Sequence, residues 1–132
     1  HMYFSDRYFG YDDGIYAACR ALEILAADGV TLGARLADLP RFVSTPEIRV
    51  DSTDADKFRI VDSVAAHFRS RYPTLEVDGV RILFPHGWAL VRASNTQPIL
   101  VLRFEATSDA ALAEIRGAVQ AQLDAHGVGT IP

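Results

Sequence analysis

The chain has 132 residues, of which 49% are hydrophobic and 23% are charged, and its formal net charge is −4. This length allows one domain, or one small domain plus an appendage, and an acidic chain without clustered basic residues does not suit nucleic acid or an anionic membrane. No apolar stretch reaches membrane-spanning length, and a single cysteine excludes an internal disulfide, so we expect a cytoplasmic protein.

The first forty residues are predicted to form a helical pair after an aromatic-rich start. Asp12 and Asp13 offer an N-cap for a helix over about 13–28, and Gly29 offers its C-terminal stop. A second, short helix is predicted from Thr31 to the proline at 40. Cys19 lies in the first helix, and we interpret it as a small core residue.

A linker is predicted at 41–45, and strands and helices alternate after it. The expected elements are a strand at 48–50, a helix at about 54–71, strands at 75–77, 80–84, 88–92 and 99–104, and a helix at about 109–125. Asp78-Gly79 predicts a two-residue hairpin, and Pro85-His86-Gly87 predicts a second turn. Short turns indicate an antiparallel sheet, and two amphipathic helices can cover one of its faces. The sequence therefore predicts an α+β module.

The helix at 54–71 has a clear predicted apolar face. Its cap is expected in Ser52-Thr53-Asp54. The inward-facing side chains are expected to be Phe58, Val61, Val64, Ala65 and Phe68. After the last helix, Gly127 and Gly129 predict a frayed tail.

The polar run 92–97, which ends at Pro98, is the strongest candidate for a functional site. It joins two predicted strands, and its first residue is an arginine. A planar guanidinium fork, two hydroxyls and a carboxamide can surround a phosphate with hydrogen-bond donors. The predicted phosphate-binding residues are Arg92, Ser94, Asn95 and Thr96. The alternative, that these residue types only shape a turn, stays open at this point.

The sequence offers no catalytic constellation beside this loop. No nucleophile is paired with a base, and no glycine-rich phosphate loop of the Walker or dinucleotide type is present. His67 and His86 have no metal-ligand neighbours at a usable spacing. We therefore predict no catalytic residue and no metal site in this chain.

Several segments together carry a resemblance to a known family. They are 8–16, 44–49, 56–58, 78–81, 87–98 and 100–105. These segments resemble the C-terminal part of bacterial phosphomannomutase/phosphoglucomutase, in the α-D-phosphohexomutase superfamily. The loop departs from the family at Gln97, where glutamate or another residue is usual, so Gln97 is left out of the predicted site.

The resemblance implies a fold and a domain plan. Residues 46–132 would form the C-terminal phosphate-binding domain, an antiparallel sheet with helices on one face, of the TATA-binding-protein type. Residues 1–40 would be the C-terminal tail of the third α/β domain, and 41–45 the linker between them. The chain is thereby identified as a C-terminal fragment of a four-domain enzyme.

The resemblance also implies an activity. The family enzyme is an isomerase, an intramolecular phosphotransferase that interconverts hexose 1-phosphate and hexose 6-phosphate through a phosphoserine, assisted by Mg²⁺. Its fourth domain closes over the substrate and holds the phosphate that is not reacting. This implies that hexose mono- and bisphosphates, and the N-terminal domains of the same enzyme, are the partners of this chain.

The family's phosphoserine segment and aspartate-rich metal loop are absent from this sequence. We therefore expect the chain to bind phosphate without catalysing the reaction, and Mg²⁺ to belong to the full-length enzyme. Two alternatives remain, a phosphoglucosamine mutase-type relative and a stand-alone phosphosugar-binding module. The acidic charge disfavours a third interpretation, a nucleic-acid-binding sheet.

Overall fold

The computed structural model describes all 132 residues, apart from the side chain of Asp28. The chain divides into two units, His1–Pro40 and Arg41–Pro132. Among the described residues, no helix is long and apolar enough to cross a membrane.

The first unit contains helix α1, Gly14–Asp28, and the single-turn helix α2, Leu32–Arg35. The Asp13 carboxylate caps α1 by accepting hydrogen bonds from the backbone N–H groups of Ile15 and Tyr16. These bonds, and one from a tyrosine hydroxyl, hold the pKa of Asp13 below its usual range. Gly29 ends the helix in a left-handed conformation, with φ 63°. Both predicted caps of this helix are confirmed.

Arginine side chains fasten the N-terminal segment to α1. The Arg20 guanidinium donates to both carboxylate oxygens of Asp6, at 3.0 and 2.9 Å. Arg7 donates to both oxygens of Glu23, at 2.9 and 2.5 Å. Cys19 is exposed, so its prediction as a core residue is wrong within this unit. Helical periodicity identified an apolar stripe, but exposed side chains such as Leu22 remain on the helix surface.

The second unit is built on one antiparallel sheet. Its strands are β1 (Val43–Ser44), β2 (Ile48–Asp51), β3 (Thr74–Leu75), β4 (Val80–Phe84), β5 (Gly87–Ala93) and β6 (Ile99–Ala106), and its helices are α3 (Lys57–Arg69) and α4 (Asp109–Asp124). The sheet order is β1-β6-β5-β4-β3, and β2 also pairs with β6. Every pairing is antiparallel.

Both helices pack on the same face of this sheet, because alternate strand residues supply the core. The strand side chains buried on this face are Ile48, Val50, Val80, Ile82, Ala89, Val91, Ala93, Leu100, Leu102, Phe104 and Ala106. They pack with apolar residues of α3 and α4 in one cluster. The predicted α+β architecture, an antiparallel sheet with helices on one face, is confirmed.

Residues 41–45, the predicted linker, contribute a strand to the sheet. Val43 and Ser44 pair with Ala106 and Glu105 of β6. The ladder continues at Thr45, whose N–H donates to the Phe104 carbonyl at 3.0 Å and whose hydroxyl accepts the Phe104 N–H at 3.1 Å. The first strand of the sheet therefore lies within the predicted linker, before the strand predicted at 48–50.

Helix α3 begins at Lys57, three residues later than predicted. The Thr53 hydroxyl accepts the N–H of Asp56 at 3.1 Å, so the preceding residues form a turn. Phe58 is 51% exposed, and its assignment to the inward face is wrong. Lys57 and Ile60 are buried instead, because they share the face that continues through Val61.

Two further predictions needed correction. Strand β3 ends at Leu75, and Val77 is 98% exposed in a four-residue connection, so the predicted two-residue hairpin is wrong. The C-terminal tail is packed rather than frayed. Val128 and Ile131 are buried, and the N–H of Ile131 donates to the Gln120 side chain at 2.6 Å.

Candidate anion-binding site

Strand β5 presents Arg92 on the face of the sheet that the helices leave open. Ala89, Val91 and Ala93 alternate into the core, so Arg92 lies on the opposite face. It pairs with Val101 across the β5–β6 ladder. Ser94 follows two residues later, directly after the end of β5.

The Ser94 side chain shapes the loop that follows. The backbone N–H of Ser94 donates to the Ile99 carbonyl at 3.0 Å, and this bond closes the base of the loop. Its hydroxyl oxygen accepts the backbone N–H groups of Thr96, at 3.4 Å, and Gln97, at 3.2 Å. The hydroxyl hydrogen stays available to donate. The turn-forming role and the donor role of this serine are therefore compatible.

Asn95 and Thr96 occupy the exposed tip of the loop. Neither side chain forms a hydrogen bond with any other described residue. Their carboxamide and hydroxyl donors are free for an external acceptor. The structure thus places all four predicted residues at one end of the β5–β6 hairpin, with Arg92 and Ser94 at its base and the other two at its tip.

Arg92 already has an anionic neighbour. Its Nη1 donates to Oδ2 of Asp78 at 3.3 Å, with the two side chains 34% and 65% exposed. An exposed ion pair of this kind contributes about 0–1 kcal/mol. Most of the guanidinium donors remain unused, so an incoming anion can bind beside the carboxylate or displace it.

Asp78 is brought to Arg92 by the connection 76–79 between β3 and β4. Gly79 adopts φ 77°, and a Cβ atom there would lie 2.4 Å from the Val91 carbonyl oxygen and 2.5 Å from the Arg92 Cβ. Only glycine permits this close approach. The Asp78-Gly79 pair predicted a turn from sequence, but its contact with Arg92 lay beyond that local signal.

An ion pair fixes the other end of this connection. Arg69 of α3 donates from Nε and Nη2 to the two oxygens of Glu76, at 3.0 and 2.5 Å. These bonds, followed by one from Thr74, hold the pKa of the Glu76 carboxyl below its usual range. A cleft of about 250 Å³ lies between α3 and the connection, and Asp62 and Asp78 are among its lining residues.

The implied magnesium ion does not fit the residues present. The side chains described here include no group of three or more His, Cys, Asp or Glu that could hold a metal ion. Carboxylates are the ligands that Mg²⁺ prefers. The described residues therefore offer no set of ligands for this ion.

Two family models match the chain. Residues 47–122 match the model described as phosphoglucomutase/phosphomannomutase, C-terminal domain. Residues 1–42 match the model described as phosphoglucomutase/phosphomannomutase, alpha/beta/alpha domain III. The first match includes the loop 92–97 and the connection 76–79.

Individual relatives agree with these matches. A phosphomannomutase/phosphoglucomutase of Pseudomonas syringae pv. tomato is 45% identical over 124 residues, 93% of this chain and 27% of the relative. A phosphoglucomutase of Neisseria meningitidis serogroup A is 40% identical over 129 residues, 96% of this chain and 28% of the relative. The chain therefore spans just over a quarter of the length of these curated relatives.

A solved structure also superposes on the chain. It is the X-ray crystal structure of a phosphoglucomutase/phosphomannomutase family protein from Burkholderia thailandensis. The TM-score is 0.76 at 40% sequence identity, and the match covers 95% of this chain and 26% of that one.

Proposed function

This chain belongs to the phosphoglucomutase/phosphomannomutase family, and from that premise we propose that its loop 92–97 binds the phosphate of a phosphosugar. The proposed binding residues are Arg92, Ser94, Asn95 and Thr96. One observation carries the proposal. An arginine with unused donors stands at the base of a loop whose exposed tip holds two free polar side chains.

The chemistry of these groups suits a phosphate. Arg92 offers a planar fork that can donate two parallel bonds to phosphate oxygens. Asn95 and Thr96 add neutral donors, which bind without the desolvation cost of further charges. Ser94 holds the loop bend and donates its remaining hydrogen.

For the whole protein we propose the interconversion of hexose 1-phosphate and hexose 6-phosphate. Holding the unreactive phosphate would position the other end of the sugar for transfer, because fixing one end of a substrate orients the other. Closure of this domain would also exclude water. The phosphoserine, Mg²⁺ and the remaining domains would lie in other parts of the enzyme, and a cytoplasmic location is part of the same proposal.

The test is an NMR titration of the amide signals with glucose 1,6-bisphosphate. We expect saturable shifts at 92–97, with a Kd on the order of millimolar because the other domains contribute no contacts. Arg92→Ala should abolish most of the response, since charge-assisted bonds contribute about 1.5–3 kcal/mol each. Arg92→Lys should bind with intermediate affinity because it keeps the charge and loses the fork.

Arg103 of β6 provides a matched control. It is exposed on the same strand face and lies outside the loop, so Arg103→Ala removes an equal charge. The proposal predicts a smaller loss of affinity for glucose 1,6-bisphosphate in Arg103→Ala than in Arg92→Ala. Equal binding by Arg92→Ala and the parent chain would refute the site. Mutase turnover by the pure chain would contradict the expectation that it binds without catalysing.

A further inference from the structure

Lys57 is a buried charge with no function in the site described so far. It is the sole lysine of the chain, stands at the start of α3, and is 3% exposed. Removing an ammonium from water is costly unless hydrogen-bonding partners replace its hydration. Its partners therefore show what this charge holds in place.

One hydrogen-bond partner of Lys57 is local and the other is in the loop, and its Nζ also lies 5.3 Å from the centre of the Phe58 ring. The Lys57 Nζ donates to Oδ1 of Asp54 at 2.7 Å, within the turn before α3. It also donates to the backbone carbonyl of Gln97 at 3.1 Å, across 40 residues of sequence. The Asp54 side chain is 77% exposed, whereas the Gln97 carbonyl lies at the end of the run 92–97.

The Gln97 carbonyl belongs to a second attachment of the loop. The same oxygen accepts the Ile99 N–H at 2.9 Å, and the neighbouring Pro98 carbonyl accepts the Ser52 N–H at 2.8 Å. Ser94 fixes the first side of the loop, and Lys57 with Ser52 fixes the second. The free tip, Asn95 and Thr96, lies between these two hydrogen-bonded attachments.

We propose that Lys57 is a positioning residue for the phosphate-binding loop, acting through the carbonyl of Gln97. Its ammonium holds this carbonyl oxygen away from the anion that the loop would bind, because an engaged carbonyl cannot turn and repel that anion. The bond thereby maintains the tip geometry in which Asn95 and Thr96 donate together with Arg92. This inference rests on the proposed function of the loop.

The experiment compares the Kd of inorganic phosphate, measured from loop amide shifts, in the whole chain and its variants. Lys57→Met keeps the length of the side chain and removes its donors, and we expect the Kd to rise about five- to tenfold. The amide shifts of residues 94–97 should change even without phosphate. All variants are measured at a temperature at which circular dichroism shows them folded.

Two controls separate positioning from stability. Asp54→Asn removes the charge of the exposed partner and leaves the bond to Gln97, so the Kd should stay within about twofold of the parent value. Val64→Ala leaves a cavity beside the same helix and destabilises the domain, and it should also leave the Kd unchanged.

Chemical rescue tests the role of the ammonium itself. In a Cys19→Ser background, the thiol introduced by Lys57→Cys can be aminoethylated in the unfolded chain, which restores an ammonium at nearly the original distance. We expect the Kd to return to within about twofold of the parent value. If Lys57→Met does not fold, Lys57→Gln replaces it, and the shorter neutral side chain should raise the Kd in the same direction.

The outcomes distinguish the two proposals. If Arg92→Ala abolishes binding while every folded Lys57 variant binds like the parent chain, the role of Lys57 is refuted and the phosphate site stands. If Arg92→Ala itself binds like the parent chain, the phosphate site is refuted. A Val64→Ala variant that weakens binding as much as Lys57→Met would reduce Lys57 to a purely structural residue.

Discussion

At the scale of single residues, the chemistry of the site depends on how Arg92 divides its donors. In the structure one donor bonds to Asp78, over 3.3 Å and in a solvent-exposed position. Such a contact is weak in water, so it orients the guanidinium without consuming its capacity for an anion. A phosphate bound at Arg92 would also lie close to the Asp78 carboxylate, and two negative charges at that distance repel each other.

We therefore predict that Asp78→Asn tightens phosphate binding. Removing one negative charge about 4 Å from the ligand is worth roughly 1 kcal/mol in a water-exposed setting, so the Kd for inorganic phosphate should fall about fivefold. The effect should shrink as salt is added, because the two charges are exposed. Isothermal titration calorimetry at two ionic strengths measures both quantities.

Asp62→Asn is the matched control for this prediction. Asp62 lines the same cleft, and no hydrogen bond joins it to Arg92. It changes the net charge by the same amount, so a general charge effect would appear in both variants. Weaker binding by Asp78→Asn would mean that the carboxylate chiefly holds the guanidinium in its binding orientation.

At the scale of elements, the connection 76–79 determines which side chain contacts Arg92. It is fixed at one end by the Arg69–Glu76 pair and at the other by the close contact of Gly79 with β5. The sequence pattern predicted a tight hairpin at Asp78-Gly79. The connection is longer, and its last residue, Gly79, lies against Val91 and Arg92 of β5 because it has no Cβ.

Gly79→Ala should be strongly destabilising. The substitution combines a left-handed backbone with overpacking against Val91 and Arg92, which together cost roughly 2–4 kcal/mol. For a domain of this size the melting temperature should fall by more than about 10 °C. Differential scanning calorimetry measures it.

Gly127→Ala separates the two causes. Gly127 has φ 68°, and a Cβ atom there would meet nothing within 4 Å. The Gly127→Ala substitution therefore introduces the backbone strain without the clash. Its fall in melting temperature should be clearly smaller than that of Gly79→Ala. Equal losses for the two variants would show that the close approach to β5 contributes nothing to stability.

At the scale of the whole molecule, the two units differ in how they are stabilised. Among the described residues, every buried hydrophobic side chain lies between Ile48 and Ile131. In the first unit, α1 is held by its caps, by ion pairs that are individually weak, and by aromatic contacts such as the stacking of Tyr8 on Tyr16, and none of these buries an apolar core. The free energy of folding should therefore reside almost entirely in the second unit.

We predict that residues 41–132 fold without the first forty. This shorter chain should melt cooperatively within about 5 °C of the main transition of the full chain, because its core is unchanged. Its amide spectrum should overlay that of the full chain at 92–97. Circular dichroism melting and an NMR overlay check this prediction, and a non-cooperative melt would contradict it.

Much of this architecture is encoded locally and was accessible from the sequence. Alternating apolar residues predicted β4, β5 and β6 as strands, and the predicted helix at about 109–125 agrees with α4. The wrong predictions concern residues whose burial depends on contacts with segments far away in the sequence. Val128 and Ile131 lie in a tail that contains Gly127 and Gly129 and looks loose in sequence, yet both side chains are buried in the core cluster. Phe58 has a suitable spacing, but Ile60 occupies the core position.

For this protein, the sequence by itself determined the fold class through short-range periodicity and the family through the resemblance of its motifs, and it indicated the loop 92–97 as a candidate anion site through its residue types. Only the tertiary structure decided which distant residues contact that loop. Lys57 meets Gln97 across 40 residues, and Arg92 meets Asp78 across 14. Such contacts are set by how strands and helices pack, and packing brings together groups whose separation along the chain gives no sign of their proximity.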